Sequence, residues 1–183
     1  MAAKPISRDF AMMYWQIFAA LDTVVLSRLA AEFQQQQPIL FEFLGAEDKE
    51  RNPDQSVFLR YGIFTWGVFK EAYGSNARQV KRWIVDEILT ENAAIRIAAS
   101  RMKGRQFIEW VERTNGGIEQ PHLSRYLLER VCIEQRATTT VPVDICLSAI
   151  HRALPPEAID GNGFIQRFRE VMSPLNKVKK SGQ

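Results

Sequence analysis

Residues 56–73 read SVFLRYGIFTWGVFKEAY, the most apolar run in the chain. On a helical wheel its polar side narrows to Arg60, Gly67 and Glu71, with Lys70 off to one side. A helix that is apolar around most of its circumference is a core helix, which other helices must wrap. Asn52 can cap it, Pro53 suits the first helical position, and Gln55 follows the cap at capping-box spacing, so the reading starts this helix at residue 53. Gly74 ends it, as a residue free to adopt the left-handed conformation. Gly62 falls on the buried side between Phe58 and Phe69, and a glycine there predicts that a second helix crosses closely.

Working outward, Ser7 and Asp9 mark a helix start, and the apolar pattern then runs without a break to Phe33. Gln16, Thr23, Ser27 and Gln34 share one narrow polar strip, so the reading is a single long, mostly buried first helix. Asp22 falls off that strip, near Trp15, Phe18, Val25 and Leu29, where an acid marks either a site or a bend. Pro38 opens a short helix, PILFEFLGA, and the four glutamines before it read as a solvated helix end. Residues 45–54 read as a polar connection.

Beyond the central helix, ARQVKRWIVDEIL places Val80, Trp83, Ile84 and Ile88 on one inward face. Residues 90–113 read as helix with a break at Gly104, and Asn115-Gly116-Gly117 stops it. Pro121 opens a helix through Cys132, Pro142 opens another, and FIQRFREVM makes a last short one before the basic tail. No segment alternates with a period of two for long enough to predict a strand. The fold class is therefore all-α: a single helical domain over residues 1–176, about eight helices around the buried central helix 53–73, and a flexible tail over 177–183.

The totals fit this picture. The 183 residues are 46% hydrophobic and 25% charged, which is ordinary for a globular chain and leaves a sizeable core. Two cysteines make no disulfide framework, which points to a reducing, cytoplasmic setting. Asp9 and Gln16 interrupt the apolar start of the chain, so it reads as a folded helix and not a signal peptide. No apolar stretch approaches the roughly 20 residues that cross a bilayer, so no membrane partner is expected.

The motifs that carry chemistry are incomplete. Asp160-Gly161-Asn162-Gly163 matches the middle of a calcium loop, but Ala158 and Arg169 stand where its first and last carboxylates belong. His122, Cys132, Cys146 and His151 lack zinc-ligand spacing, and Glu119-x-x-His122 has no second copy to complete a di-metal site. Asp144, Ser148 and His151 share a helix face, yet acid and imidazole would stand roughly 10 Å apart along its axis. No phosphate-binding glycine loop is present. No metal, cofactor or catalytic residue is assigned, and the balance is against an enzyme.

Three kinds of function remain as expectations. The first is association, as a homodimer or with a protein partner. Fourteen of the nineteen aromatics lie between Phe10 and Trp83, and two nearly all-round apolar helices need much cover. The expected interface includes part of the first or the central helix. The second is nucleic-acid or other anion binding along residues 78–105, where Arg78, Lys81, Arg82, Arg101, Lys103 and Arg105 are the candidate contacts. Seven basic residues there face three acidic ones, the alternative being a solvated surface with pairs such as Arg82 to Asp86. The third is a small-molecule pocket between helices, with Tyr14, Trp15, Asp22, Tyr61 and Trp66 as its walls and polar tips.

Overall fold

A computed structural model describes residues 5–51, 56–74, 77–93, 97, 106, 120–134 and 140–155. Among the described residues the secondary structure is helical, without a strand. The elements are α1 (Arg8–Ala19), α2 (Thr23–Gln36), α3 (Pro38–Arg51), α4 (Val57–Tyr73), α5 (Arg82–Glu91), α6 (Pro121–Leu128), which runs on as a π-helical turn (Glu129–Glu134), and α7 (Val141–Ala153). The chain is an all-α bundle, as its periodicity predicts. Of the helix expected over 90–113 only residues 90–93, 97 and 106 are described, and FIQRFREVM and the DGNG turn lie outside the described residues.

The central helix α4 buries thirteen of its seventeen residues. α3 and α7 pack along it, α1 and α2 close further sides, and α5 and α6 lean on α7. Its cover thus comes from its own chain, which leaves α4 little surface to offer a partner. Gly74 ends it at φ 60°, donating to the Lys70 carbonyl, as a left-handed terminator should. Gly62 is where α3 crosses: a Cβ there would stand 2.1 Å from Leu44 Cδ1 and 3.8 Å from Cys146 Sγ of α7.

The start of α4 differs from the expectation. The helix begins at Val57, and Ser56 makes no side-chain cap. Asp48 caps it from α3, its two carboxylate oxygens accepting from the amides of Phe58 at 2.8 Å and Leu59 at 2.7 Å. Two donors that would otherwise be orphaned at the helix start are satisfied by one buried acid. This is why 45–51 is helix and not a polar loop: α3 must run on for Asp48 to reach.

The long first helix is in fact two. α1 opens on Ser7, whose hydroxyl accepts from Phe10 N at 3.2 Å, and it stops at Ala20. Asp22 then caps α2, accepting from Val25 N at 2.8 Å. A side-chain cap followed by Thr23-Val24-Val25, residues of modest helix propensity, favours a new start over continuation. The second half is also not buried as expected, since α2 fully buries only Phe33.

α5 begins at Arg82, five residues later than the apolar pattern implies, and Trp83 points outward with 64% of its surface exposed. Val80 is buried from a non-helical segment, and the inward face of α5 is Ile84, Val85 and Ile88. Counting Val80 as helical rotates the apparent face by one position, onto Trp83.

Candidate functional site

Of the residues proposed for a pocket, four are packed as core. Trp15 stacks on Tyr61 with centroids 5.1 Å apart and planes 3° from parallel, and it meets Phe64 edge-on at 5.2 Å. Tyr14 lies against Phe64 at 5.7 Å, and its hydroxyl occupies the space that a side chain at Gly67 would need. Gly67, polar on the wheel, is thus buried under a ring. Burial and the charges of Glu71 and Glu32 push the Tyr14 phenol well above its usual range. Trp66 packs on Phe33 at 5.6 Å and carries Lys70 over its ring at 5.0 Å, while Lys70 also pairs with Glu32. Asp22 is exposed and spent on the α2 cap, apart from these rings.

A groove of about 610 Å³ opens elsewhere, along the outer side of α3. Phe41, Gly45, Ala46 and Leu59 line it together with Glu42 and Lys49, and none of the five residues expected in a pocket does. Asp48 also lines it, with both oxygens already engaged by α4.

On the basic face, Arg78, Lys81 and Arg82 are exposed. Arg82 pairs with Glu42 of α3 at 2.9 Å, not with Asp86 on its own helix. Arg101, Lys103 and Arg105 lie outside the described residues, so the face is seen in part only.

The polar groups that the sequence reading missed are in the interior. Gln37 and Gln120 each precede the proline that opens a helix, and each side chain turns inward to hold distant backbone. Gln37 Oε1 accepts from Val80 N at 2.9 Å, and its Nε2 donates to the Arg78 carbonyl at 3.0 Å, so one amide clamps an extended segment as a β-partner would. Gln120 Oε1 accepts from Ile6 N at 2.7 Å, and its Nε2 reaches the Tyr73 hydroxyl at 3.3 Å and His151 Nδ1 at 3.1 Å. Both amides are buried. The signal in sequence was Gln-Pro at two helix starts, where the glutamine carbonyl already takes the first helical bond and leaves the side chain free to turn away.

Asp144, which the sequence reading set beside Ser148 and His151, is another polar side chain engaged at both of its terminal polar atoms. Ser124 donates to one of its oxygens at 2.8 Å and Thr140 to the other at 2.7 Å. Burial pushes its carboxyl up to about 6, against the two hydroxyl bonds that favour the charged form. With Asp144 held by Ser124 and Thr140, and His151 by Gln120, the face shared by Asp144, Ser148 and His151 is no triad. Cys146 is fully buried, and burial lifts its thiol far above the usual range, which leaves it unreactive. Among the described residues no group of three or more His, Cys, Asp or Glu is placed to hold a metal ion. No described helix is long and apolar enough to cross a membrane.

Most large apolar side chains are buried, but Val24 is 73% exposed at the start of α2. Met12 and Ile17 of α1 are exposed as well. Val25, Leu26, Leu29 and Ala30 are half-buried, the last three packed against the core, so the first half of α2 keeps part of its apolar surface at the outside. Comparison with known proteins adds no relative: no family model matches the chain, and no curated protein or solved structure matches it.

Proposed function

We propose that this chain works by association and not by catalysis, as a homodimer whose interface takes the corner between α1 and α2. The observation that carries the reading is the first half of α2, where Val24 is 73% exposed and Val25, Leu26 and Leu29 are only half-covered. Ile17 near the end of α1 and Val24 near the start of α2 are both exposed, one on either side of the turn between the helices. Each Å² of such surface removed from water contributes about 25 cal/mol, and a symmetric second copy is the simplest cover.

The interior supports the same reading. Asp48, Gln37, Gln120 and Asp144 are each engaged in holding a helix start or a distant segment in place. Groups used in that way fix a framework that presents a surface. A stable interface of this kind buries on the order of 1,200–2,000 Å² in total. Because it is apolar, it should resist added salt, unlike one held by exposed charges.

Sedimentation at micromolar concentration, in low and in high salt, tests this. A dimer of about twice the 21.0 kDa chain mass is expected in both. A monomer in both conditions removes the proposal.

A further inference from the structure

α5 buries Ile84, Val85 and Ile88 and turns Trp83, Asp86, Glu87 and Thr90 outward. The last three stand at helical spacings of three, four and seven residues from Trp83, so the four form one stripe. Trp83 is 64% exposed in the middle of an otherwise polar surface. The charges flanking the stripe are taken: Arg82 pairs with Glu42, and Glu91 with Arg152 of α7 at 2.6 Å. Asp86 and Glu87 make no ion pair with any described residue. An exposed indole beside two unpaired carboxylates suits an occupant that is both apolar and basic.

The chain itself supplies such a segment close by. The Arg152–Glu91 pair sets the end of α7 against the end of α5, and the last described residue, Pro155, follows three positions later. Beyond it, Phe164, Ile165, Phe168 and Val171 recur at helical spacing, and from Phe164 onward five basic residues stand against Glu170 alone. Eight residues lie between Pro155 and Phe164, nine steps along the chain. Fully extended they reach about 30 Å, whereas Trp83 lies only about 12 Å along the α5 axis from Glu91. Reach is not limiting, and tethering gives the segment a high effective concentration at the stripe.

We propose that residues 164–172 dock on the outward stripe of α5, with a phenylalanine ring against Trp83 and with Arg167 and Arg169 facing Asp86 and Glu87. This covers a surface on α5 that is separate from the α1–α2 corner, and it uses the chain's own segment as the occupant. Hydrogen exchange on the full-length protein tests it, comparing wild type with Trp83→Asp and with the double variant Asp86→Lys/Glu87→Lys. In the wild type, amides of 164–172 should exchange at least about tenfold more slowly than an unstructured chain, and both variants should lose that protection while α4 keeps its own. Exchange at the unstructured rate in the wild type overturns the proposal, as does protection that survives in both variants. Protection that disappears on dilution assigns the stripe to a second copy and overturns it equally.

Discussion

At the scale of single residues, Gly62 is tightly constrained, because the space for its missing Cβ is already filled by Leu44 Cδ1. Gly62→Ala must turn the Leu44 side chain aside, while Gly62→Leu must push α3 away from α4 and should cost about 1–3 kcal/mol, read as a lowered midpoint in urea. An unchanged midpoint would mean that the crossing is loose. Asp144 makes a different kind of prediction, since its sign depends on pH. Its folded pKa of about 6 lies above the ordinary 3.8, so the native state binds the proton more tightly than the unfolded chain. Stability from this group is therefore present below pH ~4 and is lost as pH rises through about 6. Asp144→Asn keeps partners for both hydroxyls but has no charge to desolvate. It should raise the melting temperature near neutral pH, by the equivalent of about 1–3 kcal/mol, and confer no such gain near pH ~4, where the wild type is already protonated. An equal shift at both pH values would show that desolvation of the carboxylate is not the cause.

At the scale of elements, what the sequence made legible is what depends on near neighbours in the chain. α4 was readable because its period of apolar residues leaves one narrow strip, and its end because Gly74 carries a conformation few residues tolerate. The prolines at 38, 121 and 142 opened helices as expected, since a missing N–H costs nothing in a first turn. What was not legible depends on partners far along the chain. Nothing in residues 45–51 announces that Asp48 caps a helix ten residues on, and nothing near Gln37 announces a clamp on Val80, forty-three residues away. The same holds for Gln120 and Ile6, separated by 114 residues. These clamps are testable as a class. Asp48→Ala should strip the start of α4 of its cap at a cost of about 1–2 kcal/mol, with faster amide exchange at Phe58 and Leu59 before anywhere else in α4. Gln37→Ala should cost about 1–3 kcal/mol, because the Val80 amide is left buried without an acceptor. If instead exchange at Val80 is unaffected in Gln37→Ala, the clamp is not what orders the segment leading into α5.

At the scale of the whole molecule, the apolar surplus of the N-terminal half divides into two parts with different meanings. Most of it, including Trp15, Tyr61, Phe64 and Trp66, is consumed inside one chain by rings packed on α4. That surplus looked from the sequence like a demand for a partner, because the wheel counts apolar faces but cannot count the helices that will cover them. What lies outside is aliphatic, not aromatic: Val24 and Ile17 on either side of the α1–α2 turn, with the half-buried residues that follow in α2. The break at Asp22 is what separates these parts, since a single straight helix would have held its second half to the α1 line. The dimer proposal therefore makes a sharper demand than a sedimentation mass. Val24→Glu places a charge where the second copy should lie but leaves α4 and its wrapping untouched. It should convert the dimer to a monomer at micromolar concentration, because burying an unpaired carboxylate costs several kcal/mol, more than a protein–protein contact of modest area can absorb. The variant monomer should keep the helical circular-dichroism signal of the wild type, since Val24 contributes little to its own chain's core. A variant that still dimerises would place the interface elsewhere on the surface, while one that unfolds would show that α2 is held by contacts that Val24 does make.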